Sequence, residues 1–168
     1  LYLGHASRSA MALGLHRAQV VHGNSEFLNR LRLTFWTIFY MERLMSMFTG
    51  RPSCLSDDQI DCPYPDDFPQ SSEVSQKNIE FAYIRAMASL GKIVEKVMIS
   101  NYSPTRTKKV SDLSEVNKVN NQCLEALQNL LDTLPCYLHF FDNKAPTGEA
   151  WQEVQRSCLG LTFYVVQI

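Results

Sequence analysis

Apolar residues recur at helical spacing along most of the chain, and this pattern predicts an all-α fold. Residues 1–15 place apolar or alanine side chains every three or four positions, and Gly14 stands where such a helix would end. Similar spacing occurs in residues 79–97, in residues 116–134 and in a segment that begins near Trp151. No alternating pattern typical of a strand is seen, so we expect a multi-helix domain with helix pairs joined by loops.

The segment after Asn24 predicts the helix at the centre of the domain. Asn24 or Ser25 can cap its N-terminus, Glu26 suits the positive end of the helix dipole, and neither Gly nor Pro interrupts it before Phe48. One face holds Leu28, Leu31, Phe35, Ile38, Phe39 and Met45, and other sides hold Leu33, Met41, Leu44 and Phe48. The second half is therefore apolar nearly all round, and we expect other helices to bury it on most sides.

Glu42 lies in the middle of the apolar face of this helix. A buried carboxylate without a partner is strongly destabilising, so we expect Glu42 to be paired. Arg32 and Arg43 lie at the edge of the same face, with Trp36 between them. An internal ion pair that fixes how the helices meet is the favoured interpretation. A catalytic acid is the alternative, but no nucleophile or second carboxylate shares that face.

The predicted helix ends at Gly50-Arg51-Pro52, where Gly supplies a left-handed cap and Pro cannot continue a helix. Four of the seven prolines fall between Arg51 and Gln70, which predicts an extended, ordered, Pro-rich loop. Its candidate apolar anchors are Leu55, Ile60, Tyr64 and Phe68. The sequence Ser56-Asp-Asp-Gln59 matches a capping box and predicts a single helical turn. As a hypothesis, the Glu42 ion pair and the Gly-Arg-Pro turn lock the central helix to this loop.

Aspartates crowd the Pro-rich loop and raise the question of a calcium site; they are Asp57, Asp58, Asp61, Asp66 and Asp67. Counted from Asp57, Cys62 stands where the calcium-binding loop needs Gly, and Phe68 stands where Glu should close the site. We therefore expect these aspartates to cap a helix and to form ion pairs with Arg51 or with a neighbouring helix.

No residue pattern typical of catalysis or metal binding is seen. The five cysteines are scattered without a C-x-x-C pair, and the four histidines show no ligand spacing. Cys54 and Cys62 are candidates for exposed thiols, although a reactive thiol also needs a positive environment. The aromatic run at residues 35–40 favours core packing, and it can also line a pocket between helices. We predict no catalytic residue, no metal site and no cofactor in this chain.

The charge balance argues against direct binding of DNA by this chain. Its 168 residues are 45% hydrophobic and 20% charged, which suits one globular domain. The net charge is −1 and the pI is about 6.5, whereas nucleic-acid-binding domains are usually basic. The basic cluster at Arg106, Lys108 and Lys109 falls in a predicted loop. Both ends of the sequence look truncated, so we expect a piece of a longer protein. Neither a signal peptide nor a membrane span is visible.

Residues 35–52, followed by Asp58-Gln-Ile-Asp61 and Pro65, resemble the fungal-specific transcription factor domain, or middle homology region, of binuclear zinc-cluster regulators. The family pattern has an aromatic pair, an acidic residue with Arg, a small residue, Gly-Arg-Pro, and an acidic-Ile-Asp stretch that ends at a proline. Residues 10–17 resemble the segment that usually precedes it. The signature positions are Arg32, Trp36, Glu42, Arg43, Gly50, Arg51, Pro52, Asp58 and Asp61. The match is good over residues 1–100 and looser beyond, so residues 1–168 are identified as part of one regulatory domain.

The resemblance implies a nuclear regulator of transcription. In this family the zinc cluster that reads DNA lies N-terminal to the domain, so DNA and zinc binding are implied for the parent protein and not for this chain. Homodimerisation of the parent, a co-regulator or a small-molecule effector are the implied interactions, and no membrane is implied. Two other interpretations stay open, namely a helical protein–protein scaffold unrelated to transcription and an enzyme domain with a small-molecule pocket.

Overall fold

The structure, a computed structural model, describes residues 2–23, 25–66, 81–102, 113–141 and 148–167. These residues form five α-helices and two short 3-10 turns, with no strand among them. The helices are α1 (Tyr2–Ala12), α2 (Glu26–Thr49), α3 (Ala82–Tyr102), α4 (Leu113–Thr133) and α5 (Ala150–Gln167). The predicted all-α class is confirmed.

The ends of α2 follow from local sequence, as predicted. At the N-terminus, Ser25 Oγ accepts a hydrogen bond of 3.2 Å from the Leu28 amide. At the C-terminus, Gly50 adopts a left-handed conformation with φ of 63°, and its amide donates to the Met47 carbonyl at 3.3 Å. L side chains rarely adopt this conformation, so the position favours glycine. The chain can then turn away from the helix axis into the Pro-rich loop.

Two apolar clusters form the core, and they meet along α2 and α3. The first joins α1, α2 and the Pro-rich loop, and its centre is Phe35, Trp36 and Phe39, each at most 1% exposed. The second joins α3, α4 and α5 around Leu90 and Leu159, both 0% exposed. The aromatic run of α2 is therefore core, as the sequence favours. Helix α3 packs against α2, α4 and α5, and so it touches more of the described helices than α2 does.

The prediction that helices bury α2 on most sides is wrong for the described part of the chain. Met41, Met45 and Phe48 are 47%, 51% and 65% exposed. The described residues therefore leave about half or more of each side chain uncovered, including that of Met45, which the helical spacing groups with Phe35 on one apolar face. Apolar composition alone cannot tell which of two apolar faces a neighbour covers.

The Pro-rich loop is described as far as Asp66, and it lies along α2. Leu55 is 2% exposed, and Ile60 and Tyr64 are half-buried, so these predicted anchors are confirmed. The predicted anchor Phe68 lies outside the described residues. Asp57–Gln59 forms the predicted single turn.

The capping box predicted for this turn is wrong. Ser56 Oγ donates to Asp58 Oδ1 at 2.7 Å instead of accepting from a backbone amide. The amide of Gln59 donates to the Ser56 carbonyl at 3.1 Å, so the backbone closes the turn without the side chain.

The later helices occupy the predicted stretches, with one shift at an end. Helix α3 continues through Asn101 and Tyr102, beyond the helical spacing predicted over residues 79–97. The predicted basic cluster lies outside the described residues. Helix α4 ends before Pro135, and α5 begins at Ala150, both as expected. None of the described helices is long and apolar enough to cross a membrane.

Candidate functional site

Polar side chains along one face of α2 hold the Pro-rich loop against the helix. We call this set the α2–loop clamp; it consists of Asn29, Arg32, Trp36, Glu42 and Arg43. Four of its members are spaced three, four and seven residues apart, which places them on one side of the helix. Each side chain contacts the loop between Ser53 and Asp66. Four of the clamp residues belong to the predicted signature, and Asn29 is new.

Arg43 joins α2, α3 and the loop. Its side chain is 0% exposed, its Nη2 donates to Asp57 Oδ1 at 2.7 Å, and its Nη1 is paired with Glu95 of α3. The guanidinium carbon also lies 5.0 Å from the ring centroid of Phe39. Burial raises the pKa of Glu95, and the charge of Arg43 opposes that rise. A buried guanidinium is costly unless it is paired, so the fold at this point depends on both carboxylates.

Glu42 is buried, as predicted, but the prediction that an arginine pairs with it is wrong among the described residues. Glu42 is 6% exposed, and its Oε1 accepts hydrogen bonds from the Cys54 amide at 2.9 Å and from Ser46 Oγ at 3.1 Å. Its Oε2 accepts a hydrogen bond of 2.5 Å from Ser53 Oγ. Hydroxyl and amide donors therefore satisfy the carboxylate, and two of the three belong to the first residues of the loop.

Arg32 is also directed away from Glu42 and holds the start of α2 to two other segments. Its side chain is 5% exposed, and it donates to the Val21 carbonyl at 2.8 and 3.1 Å and to the Gly23 carbonyl at 2.5 Å. Its Nη1 contacts Asp66 Oδ2 at 3.1 Å, but that carboxylate is 77% exposed and solvent weakens the pair. The buried guanidinium thus depends mainly on backbone carbonyls.

Asn29 and Trp36 bind the far end of the loop through its backbone. Asn29 Nδ2 donates to the Asp66 carbonyl at 2.6 Å, and the Asp66 amide donates back to Asn29 Oδ1 at 2.9 Å. Trp36 Nε1 donates to the Pro63 carbonyl at 2.9 Å, and its ring lies 4.5 Å from that of Tyr64. These contacts satisfy backbone groups that the prolines exclude from regular secondary structure.

Helix α3 completes the clamp from the other side. Lys92 Nζ lies 5.0 Å from the ring centroids of both Trp36 and Tyr64, which places a positive charge beside the stacked pair. Arg85 Nη1 donates to the Pro65 carbonyl at 3.0 Å. The loop is therefore held between two helices.

Asp61 connects the loop to the segment between α1 and α2. Its carboxylate contacts Arg17 Nη2 at 3.3 Å and accepts from the Ala18 amide at 2.7 Å. The amides of Asp61 and Cys62 both donate to the His16 carbonyl, at 3.1 and 2.9 Å. The expected ion pairs with a neighbouring helix are confirmed for Asp57 and Asp66, whereas Asp61 pairs with the α1–α2 connection and Asp67 lies outside the described residues.

The remaining signature residues lie at the surface. Asp58 is exposed, and its carboxylate accepts from Ser56 Oγ, which lowers the pKa of Asp58. Arg51 and Pro52 are also exposed, and within the described residues Arg51 forms no ion pair. The loop aspartates pair instead with arginines of α2 and of the α1–α2 connection. Arg51 contributes to the turn through its amide, which donates to the Ser46 carbonyl at 3.0 Å.

The two loop thiols do not form a reactive site. Cys54 is exposed, as expected, whereas Cys62 is 6% exposed, so the expectation of an exposed thiol is wrong for Cys62. Burial raises the pKa of Cys62 to about 12, although Arg32 opposes the rise. Burial and the neighbouring Glu42 raise the pKa of Cys54. Both thiols therefore stay protonated near neutral pH.

A cavity of about 450 Å³ lies between α3 and the C-terminal end of α4. Its polar lining comes from Arg85, Ser89 and Thr133, and its apolar lining includes Leu130 and Leu134. Arg85 is shared with the loop, so this cavity adjoins the α2–loop clamp. The cavity is about half open to solvent.

The roles of Asn29 and Glu95 were not predicted from the sequence. Asn29 lies one turn before Arg32 on the same face, and a polar residue within an apolar stripe was the signal available for it. Glu95 gives no such signal, because it lies at the edge of the apolar stripe of α3. Its partner Arg43 is 52 residues earlier in the sequence. Only the packing of α2 on α3 brings it to Arg43.

Comparison with known proteins places these residues in a family. The sequence profile described as the fungal specific transcription factor domain matches residues 1–134. The chain belongs to this family. The match covers the whole clamp and extends beyond the predicted residues 1–100 to the end of α4. No solved structure matches the chain.

Curated fungal proteins are similar to this chain over part of their length. A transcriptional regulatory protein of Schizosaccharomyces pombe is 33% identical over 113 residues, which covers 64% of the chain and 14% of that protein. The thiamine repressible genes regulatory protein thi1 of the same organism is 30% identical over 122 residues, which covers 68% of the chain and 15% of that protein. Activator of stress genes protein 1 of Candida albicans is 25% identical over 188 positions, which covers 98% of the chain and 19% of that protein. The chain spans less than a fifth of the length of these relatives.

Proposed function

We propose that this chain is the regulatory part of a larger nuclear transcription regulator, and that the α2–loop clamp is the element that regulation acts on. The observation that carries the proposal is the family match over residues 1–134, which contains every residue of the clamp. The names of the fungal relatives, which are transcriptional regulators, support the same role. A nuclear location accords with that role.

DNA recognition is assigned to another part of the parent protein. The net charge of this chain is −1, which is unsuited to a phosphate-binding surface. The zinc cluster typical of such regulators would supply the DNA contact. Homodimerisation of the parent would let its two zinc clusters bind the two half-sites of a DNA site. The domain described above would then act on the activity of the parent and not on its choice of DNA sequence.

The clamp suits a two-state device because its interactions depend on one another. Arg43 is fully buried, and Asp57 supplies the charge that the loop brings to it. Release of the loop would leave the guanidinium with Glu95 alone and would free Glu42 from Ser53 and Cys54. Partial release leaves buried charges without partners, so a docked and a released state are favoured over intermediates.

The cavity between α3 and α4 offers a place for an effector. Its lining suits a small molecule with an apolar body and one polar group, and Arg85 connects it directly to the Pro65 carbonyl. A ligand that moves Arg85 would change how the loop is held. A co-regulator that binds the loop itself would act on the same equilibrium from outside.

Binding, and not catalysis, is the proposed activity. The carboxylates of the clamp are engaged by internal donors, and the loop thiols have raised pKa values. Among the described residues, no group of His, Cys, Asp and Glu is arranged to hold a metal ion. These features support structural and regulatory roles for the polar residues.

The experiment compares Asp57→Asn with Asp58→Asn in the complete parent protein, using a reporter gene for its transcriptional output. The two aspartates are neighbours in the same turn, but only Asp57 reaches Arg43. We expect Asp57→Asn to change the output, while Asp58→Asn leaves it as in the native protein. Promoter occupancy is measured by chromatin immunoprecipitation. If it and the protein level are equal in the two variants, the difference in output arises at the regulatory step.

If Asp57→Asn weakens the fold of the domain but leaves transcriptional output and its response to growth conditions unchanged, the clamp is structural and the proposed regulation is wrong.

A further inference from the structure

Gly91 lies where α3 passes close to Arg43 of α2. A Cβ added at Gly91 would lie 3.3 Å from Arg43 Cγ, 3.5 Å from Arg43 Cβ and 3.2 Å from Phe39 Cε1. Gly91 is buried inside α3, and its φ is not positive. Alanine is favoured over glycine in such a helical backbone, so the close approach of Arg43, and not the backbone, is what makes glycine suitable here.

The same side of α3 carries a charged partner of Arg43. Glu95 follows Gly91 by four residues, which is about one turn of the helix. The aliphatic stem of Arg43 therefore contacts α3 at Gly91, and its guanidinium is paired with Glu95 one turn later. The Nη2 atom of the same guanidinium donates to Asp57 Oδ1 at 2.7 Å. The arginine thus lies on a glycine at its base and between two carboxylates at its tip.

The two side chains beside Gly91 have little room to move. Arg43 and Phe39 are both 0% exposed, and the guanidinium carbon lies 5.0 Å from the ring centroid of Phe39. The Phe39 ring also packs edge-on against Trp36, with the ring centroids 5.0 Å apart. Carbon atoms pack best at about 3.5–4.0 Å, so a Cβ at Gly91 would have to displace one of these side chains.

We propose that Gly91 is a positioning residue of the α2–loop clamp, which leaves space for the stem of Arg43 and so lets the guanidinium reach Asp57 and Glu95 at the same time. A methyl group at residue 91 would push the stem away from the side of α3 that carries Glu95. Asp57 belongs to the loop and does not move with α3, so the ion pair with Glu95 is the one that weakens. The positioning of Arg43 is independent of the proposed regulation, whereas its effect on transcription rests on it.

Two other glycines provide matched controls. A Cβ added at Gly160 of α5 would lie 3.0–3.2 Å from three atoms of Phe140, which is as close a contact as at Gly91 but outside the clamp. A Cβ added at Gly4 of α1 would meet no atom within 4 Å. Gly160→Ala therefore controls for a close contact elsewhere in the fold, and Gly4→Ala controls for the change in helix propensity.

The first measurement is the melting temperature of this chain, followed by circular dichroism. Gly91→Ala should lower it by about 5 °C, as overpacking does in a domain of this size, whereas Gly4→Ala should not lower it. In the Arg43→Ala background the stem is absent beyond its Cβ, and Phe39 can move into the space that the guanidinium leaves. Gly91→Ala should then cause no further decrease. An equal decrease in both backgrounds would overturn the proposal, because Gly91 would not act through Arg43.

The second measurement is the titration of the Glu95 carboxyl, followed by nuclear magnetic resonance in the native chain and in Gly91→Ala. Burial raises the pKa of Glu95, Asp57 and Glu42 add to the rise, and the charge of Arg43 opposes it. We expect the pKa of Glu95 to rise further in Gly91→Ala, because Arg43 has moved away. An unchanged or lower pKa would contradict the positioning role.

Gly160→Ala should lower the melting temperature as well, but it should leave the Glu95 titration as in the native chain. If a variant does not fold in buffer, the measurements are made in trimethylamine N-oxide, which strengthens folding by exclusion from the protein surface. A Gly91→Ala chain that stays unfolded there would also overturn the proposal, because a shift of one arginine stem is too small a change to abolish the fold.

The consequence for regulation is tested separately, in the complete parent protein with the reporter gene. Gly91→Ala should change the transcriptional output as Asp57→Asn does, and Gly160→Ala should not. A shifted Glu95 titration with an unchanged output would confirm the role of Gly91 and refute the proposed regulation. An unshifted titration would refute the role of Gly91, whatever the output.

Discussion

Arg43 of α2 and Glu95 of α3 form an ion pair across 52 residues of sequence, with the arginine side chain 0% exposed. The same guanidinium binds Asp57 of the Pro-rich loop. One buried cation therefore holds two helices and a loop together. The domain depends at this point on the charge state of both acidic partners.

The Glu95 carboxyl should give the domain a pH dependence of known sign. Because burial raises its pKa in the folded state, folded protein binds this proton more tightly than unfolded protein does. The contribution of the Glu95 carboxyl to the free energy of unfolding is complete below the ordinary pKa of a glutamate. It is lost as the pH rises through the raised pKa of the folded state. The free energy of unfolding of the native chain, relative to Glu95→Gln, should therefore fall as the pH rises from about 4, the ordinary pKa of a glutamate, through the raised pKa of the folded state.

Chemical denaturation at a series of pH values measures this difference, and Glu125→Gln at an exposed position of α4 provides the control. An opposite slope for Glu95 would mean that attraction to Arg43 outweighs the cost of burial.

Asp57→Asn should destabilise the domain by about 1–2 kcal/mol, because Arg43 loses a charged partner while the partial exposure of Asp57 weakens the pair. Asp58→Asn, one residue later, should leave the melting temperature unchanged. Equal melting temperatures for the two variants would show that Asp57 contributes nothing through Arg43. Thermal unfolding followed by circular dichroism is sufficient for the comparison.

Glu42→Ala should cost about 2–3 kcal/mol, because it leaves the Cys54 amide and two hydroxyls without their acceptor. Arg51→Ala should change the free energy of unfolding by no more than about 0.5 kcal/mol, because Arg51 is exposed and contributes only its backbone to the turn. Urea denaturation of both variants measures these values. A large effect of Arg51→Ala would restore the hypothesis that Glu42 acts with a neighbouring arginine.

Gly50→Ala should destabilise α2 by about 1–2 kcal/mol through its backbone alone. The φ of 63° is unfavourable for alanine, yet an added Cβ would meet no atom within 4 Å. Gly50→Asn should cost clearly less, since asparagine tolerates the left-handed conformation. If the two variants unfold at the same temperature in a scanning calorimeter, the left-handed cap is not the reason for glycine here.

Helix ends and the loop anchors were open to prediction from sequence because their causes are local. Ser25 caps α2, Gly50 ends it, and Leu55 fills the core beside it, each through chemistry that a short window of sequence contains.

The partner of Glu42 was not predictable in the same way. Neighbouring residues on a helix point about 100° apart, so Arg43 faces α3 and Asp57 while Glu42 faces the start of the loop. Likewise, the composition of α2 could not show which of its two apolar faces the other helices cover. Both questions are decided by contacts between segments far apart in sequence, such as Arg43 with Glu95.

Hydrogen exchange of the Pro-rich loop tests most directly whether α2 holds it. Three amides of the Pro-rich loop donate hydrogen bonds to groups outside the loop. Cys54 donates to Glu42, Cys62 donates to the His16 carbonyl, and Asp66 donates to Asn29. We predict that all three exchange slowly in the native chain and in Asp58→Asn, and that Cys54 loses protection in Asp57→Asn. Exchange of these amides at the rate of an unstructured peptide in the native chain would contradict the α2–loop clamp.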